Sequence, residues 1–544
     1  MTLGRRAALV PLGLMALAAA LRLPDLATRG TWDGDQGHDM LMLRALVRDG
    51  VVPLLGPPTS IGDVHHGALY YYLLAPAAAL TGGDSPLAVV LLIALAGIAA
   101  VIVTWWLARE MAGPVAGLVA GLAMAISPAT IDESTFIWNP NLIALSSAIA
   151  LTGAWRAWTT RRPTWWLLAA VGTAVTMQSH VLGATLLPIV GALLVADVRR
   201  RTVARERRAI VRTGLAGLAV IALSFTPLVI NELTTDFSEV QAALAYLRAG
   251  GDPPTLGPLG RFVVVATRVV SWPLIGLIAD GLGAAVLSLV AVVAIALWRA
   301  TAGRGDERTA ARWLGLGLVW SALALTFASP SLAFVVRGLP NDHYHAFADP
   351  MVVVLVGIGA AALWRAGPLA RGSADGRPAS MAATRSAASA DLATPRRFLA
   401  ILGTLALVAW AALHLPPAVN RDGGFPAAVA AAARIEAAVG PGPIRLRSLP
   451  DFKSVEAYAY PLVRAGWTLH MGEETGDATL TLGATTTGPE SLVIICDSLF
   501  EGAIGAACGG PAETLIAPAS LGEPIDRFEA APGRTISVYR LASP

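Results

Sequence analysis

Lysine is almost absent from this 544-residue chain: Lys453 is the single lysine among 40 basic residues. Charge of either sign is scarce too. Asp, Glu, Lys and Arg make up 14% of the residues, where a soluble domain averages roughly 25%. That is too little to cover a water-facing surface of this size, and it excludes an ordinary soluble protein. A chain that is 55% hydrophobic is not a disordered one either. Two cysteines, Cys496 and Cys508, cannot build a disulfide scaffold, and the glycines follow no collagen-like period. The arginine bias reads as genomic composition and gives no reason to expect a nucleic acid partner. No internal repeat of roughly 20–50 residues is visible, so the inverted-repeat symmetry of many transporters is not supported. No glycine-rich phosphate loop follows a strand, and nothing suggests a nucleotide-sugar site.

Long apolar runs are abundant. A membrane-crossing helix needs about 20 mostly apolar residues. Runs of suitable length occupy 7–23, 85–107, 114–130, 140–156, 164–179, 181–197, 210–230, 281–298, 312–329, 350–365 and 397–414, which gives eleven expected spans. Segments 66–80 and 262–279 are apolar but rich in Tyr, Arg or Pro, and are expected at the membrane surface or as re-entrant pieces. The first run follows Arg5 and Arg6 and leads into Leu21–Arg22–Leu23–Pro24. The absence of a small-x-small cleavage site favours a retained anchor over a signal peptide.

Arginine placement sets the expected orientation, because cationic loops stay inside. With the N-terminus cytoplasmic, inner loops hold 23 arginines and outer loops before residue 414 hold 8. Eleven spans then put the C-terminus outside. The expected organisation is a membrane domain over 1–414, a flexible Ala/Ser/Gly/Arg-rich cytoplasmic linker at 367–396 within it, and an extracytoplasmic α/β domain over 415–544. This tail carries 9 basic and 14 acidic residues, which makes it net acidic on an otherwise basic chain. Periodicity predicts helices at 425–439 and 452–465, and strands at Ile444–Ser448, Leu492–Asp497 and Thr535–Leu541. Both cysteines lie here. An oxidising compartment would allow Cys496 and Cys508 to pair, and two buried free thiols are the alternative.

Polar residues concentrate in the loops expected outside. The first reads Trp32–Asp33–Gly34–Asp35–Gln36–Gly37–His38–Asp39, then a short amphipathic helix over Met40–Leu46. Asp35 and Asp39 are four apart and share a helical face if the helix starts near Asp35. Such carboxylates serve as a general base, bind a cation or cap a helix. The loop continues through a stiff Gly/Pro connector, Leu54–Gly62, to His65–His66–Gly67–Ala68–Leu69–Tyr70–Tyr71–Tyr72. These rings suit an interfacial aromatic belt or the lining of a polar cavity for a sugar or phosphate. A zinc site from Asp63, His65 and His66 matches no metal-ligand spacing. Further clusters are Asp132–Glu133 through Trp138–Asn139–Pro140–Asn141, then His180, and Arg337 with Asn341, Asp342, His343, Tyr344 and His345 ahead of Asp349–Pro350. Each alone reads as a solvated loop end. Together they bring acid, imidazole, amide and guanidinium groups to one membrane face, where an Arg is a natural partner for a lipid phosphate.

These loops resemble a known family. Asp35–Gln36…Asp39, then Pro53–Leu54–Leu55–Gly56–Pro57–Pro58–Thr59–Ser60–Ile61–Gly62, then His66–Gly67–Ala68–Leu69–Tyr70–Tyr71–Tyr72–Leu73–Leu74–Ala75–Pro76 is similar to the bacterial glycosyltransferase family 39 group. Its relatives include the protein O-mannosyltransferases and the lipid A aminoarabinose transferase. Trp138–Asn139–Pro140–Asn141, Gln178–Ser179–His180 and His343–Tyr344 before Pro350 recur at similar places, and the resemblance covers about residues 1–365. It implies a polytopic GT-C glycosyltransferase of the bacterial plasma membrane. Such enzymes move a hexosyl or pentosyl unit from a polyprenyl-phosphate donor to a lipid, glycan or protein acceptor at the outer face. It further implies that Asp35 is the general base, with Asp39 beside it. Where relatives often have Asp-Glu, this chain has Asp35–Gln36, which leaves Asp33, Asp39, Asp132 and Glu133 as second acidic candidates. Arg337 and His343, and then His66, are the expected phosphate side; Tyr70, Asn139, His180 and Tyr344 are further expected substrate contacts. Outer-loop carboxylates suit a base and a hard cation alike, so a divalent metal is left open.

Two other classes compete. A transporter needs ionisable groups within its spans, and these spans are nearly free of them apart from Arg268. A carrier-lipid or glycan-binding module with a decayed active face has Gln36 as its support.

Overall fold

In hydrocarbon a backbone must satisfy its own hydrogen bonds, so apolar runs become helices. A computed structural model describes residues 5–59, 64–248, 256–329, 332, 343–365, 393–451, 455–471, 480–482, 490–517 and 522–541. Asp63, Arg337, Asn341, Asp342 and the expected linker as far as residue 392 lie outside them.

The helical part runs α1 (Arg5–Arg22), α2 (Gly34–Arg44), the ribbon β1 (Leu55–Pro58) and β2 (His65–Gly67), α3 (Leu69–Ala79), α4 (Leu87–Ala112), α5 (Pro114–Ile126), α6 (Pro128–Asp132), α7 (Ile143–Thr160), α8 (Trp165–Ser179), α9 (Leu186–Arg200), α10 (Ala204–Ser224), α11 (Thr226–Thr234), α12 (Ser238–Arg248), α13 (Pro258–Ile275), α14 (Leu282–Ala302), α15 (Gly305–Ala328), α16 (Asp349–Trp364) and α17 (Ala393–Leu413). Among the described residues, seven helices are long and apolar enough to cross a membrane, or eight if the bent pair α10–α11 is one span. The count of eleven therefore does not follow from length and composition. Leu9–Arg22 and Pro114–Ile126 are shorter apolar helices, and α8 has 15 residues. Pro258–Ile275, expected at the surface or as a re-entrant piece, passes the same test. The 46° bend between α10 and α11 falls at Phe225, two residues before Pro227, where proline removes a backbone donor.

The break after α5 is built by sequence. Ser127 caps α6 by accepting from Thr130 N at 3.3 Å. The fully buried Arg22 donates to the terminal carbonyls of α5, Ala125 O at 2.8 Å and Met124 O at 3.0 Å, and to Thr130 Oγ1 and Ser134 Oγ. Carbonyls freed at a helix end need such donors.

The C-terminal α/β domain holds α18 (Gly424–Ala438), β3 (Ile444–Leu449), α19 (Val455–Arg464), β4 (Leu469–Met471), β5 (Leu480–Leu482), β6 (Ser491–Asp497), β7 (Asp526–Ala531) and β8 (Arg534–Arg540). The strands form one sheet in the order β5-β4-β3-β6-β8-β7. β3 is parallel to β4 and β6, and the remaining pairs are antiparallel. The two expected helices and three expected strands are present to within one or two residues where described; β4, β5 and β7 are additional. Every residue of β6 is buried, as a central strand covered on both faces requires. One face carries Leu446, Val493, Ile495, Ile536 and Val538 under α18 and α19. On the other, Leu492, Ile494, Cys496 and Tyr539 pack on Ala512, and Cys496 is joined to Cys508 in a disulfide. The first of these cores does not stop at the domain edge. It continues through Tyr458 and Tyr460 into Trp32, Met40, Leu43, Tyr70, Tyr71, Val90 and Ile93. The sheet domain and the first loop thus share one hydrophobic core.

Candidate active site

Two groups of the expected residues come together, one on α2 and one in a row of rings. The α2 group is built around a capping box. Asp33 Oδ1 accepts from Gly34 N at 2.8 Å, while Asp33 N donates to Gln36 Oε1 at 2.8 Å. The helix therefore begins at Gly34, six residues before Met40, and Asp35 stands exposed in its first turn. Gln36, which stands where relatives often carry a carboxylate, also makes a second bond, because its Nε2 donates to Ile137 O at 2.9 Å. A carboxylate could accept the cap bond but could not donate that one. Asp39, one turn on, is fully buried and accepts from Tyr70 Oη at 2.7 Å and Tyr71 Oη at 2.9 Å. Burial pushes its carboxyl up to about 7, against His38 and the two tyrosines, which pull it down. Asp39 and Tyr70 are thus engaged with each other, and Asp33 is spent as a helix cap.

The second group is a succession of neighbouring rings. His66 on β2 lies 4.4 Å from His180, His180 lies 4.6 Å from Tyr344, Tyr344 lies 5.4 Å from Trp138, and Trp138 lies 5.0 Å from His343, by ring centroids. Trp272 of α13 closes the row, 5.9 Å from His343 and 5.6 Å from His345. Polar bonds fix the order. Val181 N donates to His66 Nδ1 at 3.3 Å, and Leu182 N donates to His180 Nδ1 at 3.1 Å. Asn139 Nδ2 donates to Ser179 O at 2.5 Å, and His343 Nε2 meets Asn141 Oδ1 at 2.7 Å. Gly67 has no room for a side chain, because Gln178 of α8 fills the space a Cβ would take. His65 reaches away to α12, with Nδ1 2.9 Å from Glu239 Oε1.

Electrostatics changes what these rings can do. Burial pushes His66 down to about 3, with His65 adding to the effect, and burial then Arg268 push His343 to about 3. His180 is lowered by burial and by His66. All three are neutral near pH 7. They can accept or donate a hydrogen bond but bring no positive charge to the site. The buried Arg268 is the cation acting on His343 and His345, and its Nη1 donates to Leu332 O at 3.0 Å. Glu133 is buried, accepts from Trp272 Nε1 at 2.5 Å, and is raised by burial. Asp132 is half-buried beside it.

Among the described residues no group of three His, Cys, Asp or Glu is placed to hold a metal ion. Ile137 connects the two halves. Its carbonyl is held by Gln36, and its neighbours Phe136 and Trp138 belong to the ring group. Sequence reasoning missed that link, because a glutamine mid-loop carries no sign of a bond to a residue 101 positions away. It also missed Trp272 and the tail residues that touch α2. Asp349 and His345 were legible only as acid and imidazole near the ring group. Both are fully buried, and among the described residues their side-chain polar atoms have no hydrogen-bond partner.

Residues 65–225, under a third of the chain, match the family model described as dolichyl-phosphate-mannose-protein mannosyltransferase. The apo structure of ArnT from Cupriavidus metallidurans superimposes with a TM-score of 0.56 at 13% identity, over 98% of this chain and 97% of that one. The same protein bound to undecaprenyl phosphate gives 0.56 at 12% identity over the same shares. The yeast Pmt1-Pmt2 complex bound to the sugar donor matches 44% of this chain and 35% of that one at 15% identity, with a TM-score of 0.34. No curated protein matches. The chain is a polytopic helical membrane protein with the GT-C fold and a C-terminal sheet domain. The resemblance to the glycosyltransferase family 39 group, first legible in the loops, holds.

Proposed function

We propose that this protein is a membrane glycosyltransferase that moves a sugar from a polyprenyl-phosphate carrier to an acceptor hydroxyl at the outer face of a bacterial plasma membrane. The observation that carries the reading is Asp35: an exposed carboxylate in the first turn of α2, a helix capped at Asp33 and tied by Gln36 to the ring-lined loop. In the reaction the acceptor oxygen attacks the anomeric carbon, the bond from that carbon to the phosphate oxygen breaks, and polyprenyl phosphate departs. The acceptor proton passes to Asp35. Charge develops on the departing phosphate, where a fixed cation and hydrogen-bond donors lower the barrier. Arg268 supplies the cation, and the neutral His343 and His66, with Tyr344, supply polar ring edges on that side.

The helix bearing Arg268 also explains how a carrier could be held. Val269 and Val270, which follow Arg268, line an apolar cleft of about 570 Å³ with Leu289 and Val293 of α14 and Leu318 and Val319 of α15. A polyprenyl chain in that cleft would keep its tail in an apolar setting while its phosphate lies toward Arg268. The family match at 65–225 and the solved structure of ArnT with undecaprenyl phosphate support a lipid-phosphate donor.

The test is sugar transfer from a polyprenyl-phosphate donor by the purified protein. Asp35→Asn is expected to lower kcat by roughly 10²–10⁴, the usual worth of a general base, with binding of the polyprenyl phosphate unchanged. Full activity in that variant removes Asp35 from the role.

A further inference from the structure

The C-terminal sheet domain holds the helix that presents Asp35. We propose that Arg534 is a positioning residue for the transfer reaction, a reading that rests on Asp35 as its base. Arg534 opens β8 and is 8% exposed. Its Nη2 lies 3.1 Å from Asp33 Oδ1, the same oxygen that accepts Gly34 N in the cap of α2. Nη2 also lies 3.2 Å from Asp497 Oδ2 at the end of β6, and the guanidinium donates to the Tyr458 hydroxyl. One cation of the tail therefore bridges a tail carboxylate to the cap two residues before Asp35.

The domain is in place to transmit that bond. α19 lies directly on α2: Trp32 Nε1 donates to Ala457 O at 2.8 Å, and His38 Nδ1 lies 3.8 Å from Glu456 Oε1. Tyr460 Oη donates to Gly83 O at 2.9 Å, and Asp422 Oδ2 accepts from Trp32 N at 2.8 Å and Thr31 Oγ1 at 2.7 Å. The Asp497 end of the bridge is itself anchored. Cys496 beside it is disulfide-bonded to Cys508, and Asp497 Oδ1 accepts from Leu499 N at 3.0 Å. A base must stay within hydrogen-bond reach of the proton it takes, and small misplacements cost rate. Without Arg534 the Asp33 and Asp497 carboxylates face each other with no cation between them, and the first turn of α2 is free to shift. Among the described residues Arg534 is bonded to Asp33, Asp497 and Tyr458, so its effect runs through Asp33 and the helix.

The test uses the full-length protein and two readouts. The first, independent of any substrate, is amide exchange over residues 34–44. Arg534→Met is expected to raise it roughly tenfold, Arg534→Lys less, and Asp497→Asn in the same direction. Arg434→Ala removes an exposed pair with Asp526 on the same domain and leaves it unchanged. The second is transfer kinetics: kcat falls roughly tenfold or more in Arg534→Met, donor KM stays the same, and Arg534→Lys recovers part of the loss. If Arg534→Met fails to fold, Arg534→Lys and Asp497→Asn carry both readouts. Unchanged exchange, or faster exchange with unaltered kcat, overturns the proposal while Asp35 keeps its role. A wild-type protein that transfers no sugar from a polyprenyl-phosphate donor overturns the reading of Asp35 and the proposal with it.

Discussion

Restoring the glutamate that relatives often carry after the first aspartate is expected to harm this protein. Gln36 is 3% exposed. In Gln36→Glu the cap bond to Asp33 N survives, because an oxygen still accepts it. The bond to Ile137 O does not survive, since two oxygens would face each other where Nε2 now lies 2.9 Å from the carbonyl. Losing a buried hydrogen bond removes about 1 kcal/mol, and leaving the carbonyl unpaired costs about 1–3 kcal/mol more. The junction between α2 and the ring-bearing loop should weaken by about 2–4 kcal/mol at neutral pH, a factor of about thirty or more in how often it opens. The effect has a pH signature. A glutamate buried beside a carbonyl would have a folded pKa above its unfolded value of about 4.3. Its favourable contribution is complete below the unfolded value, where its O–H can donate to Ile137 O, and is lost as pH rises through the folded value. Amide exchange over residues 33–37 and 136–141, compared between about pH 5 and pH 8, reads this directly. Gln36→Glu should approach the wild type in acid and diverge from it above neutrality. Equal protection at about pH 8, or a difference that ignores pH, would refute the donor role given to Gln36.

Two further expectations follow from α2. The carboxyl of Asp39 is raised to about 7, so the folded chain keeps that proton after the unfolded chain has lost it. The stability it contributes is complete below about pH 4 and fades as pH rises through about 7; the wild type should therefore lose melting temperature relative to Asp39→Asn between about pH 5 and pH 8, and a constant difference would contradict this. Gly37 faces the backbone of Glu456 with no space for a Cβ, so Gly37→Ala should part α2 from α19 and make the sheet domain easier to release by limited proteolysis, whereas wild-type resistance would show that the two elements are not in contact.

The pattern of hydrophobicity was sufficient for the fold class. Runs such as 85–107 have no other stable form than a buried or lipid-facing helix, and the two-residue alternation of 535–541 suits a strand with one covered face. The first-loop motif located the candidate site for a similar reason. Asp33 and Gln36 cap the helix that carries Asp35 through bonds one to three positions apart, and such short-range capping can be read along the chain. The number of crossings was less legible, because α8 stops at 15 residues and α5 ends before Ser127–Pro128, where the carbonyls it frees are met by the distant Arg22. Tertiary structure alone decided the rest. It set which histidines are charged, since burial and Arg268 hold His343 neutral. It placed the Asp39 carboxylate against the hydroxyls of Tyr70 and Tyr71. It also brought Arg534, 501 positions along the chain, onto Asp33. Desolvation and long-range ion pairs depend on what surrounds a group in three dimensions, and the order of residues along the chain does not contain that information until the chain has folded.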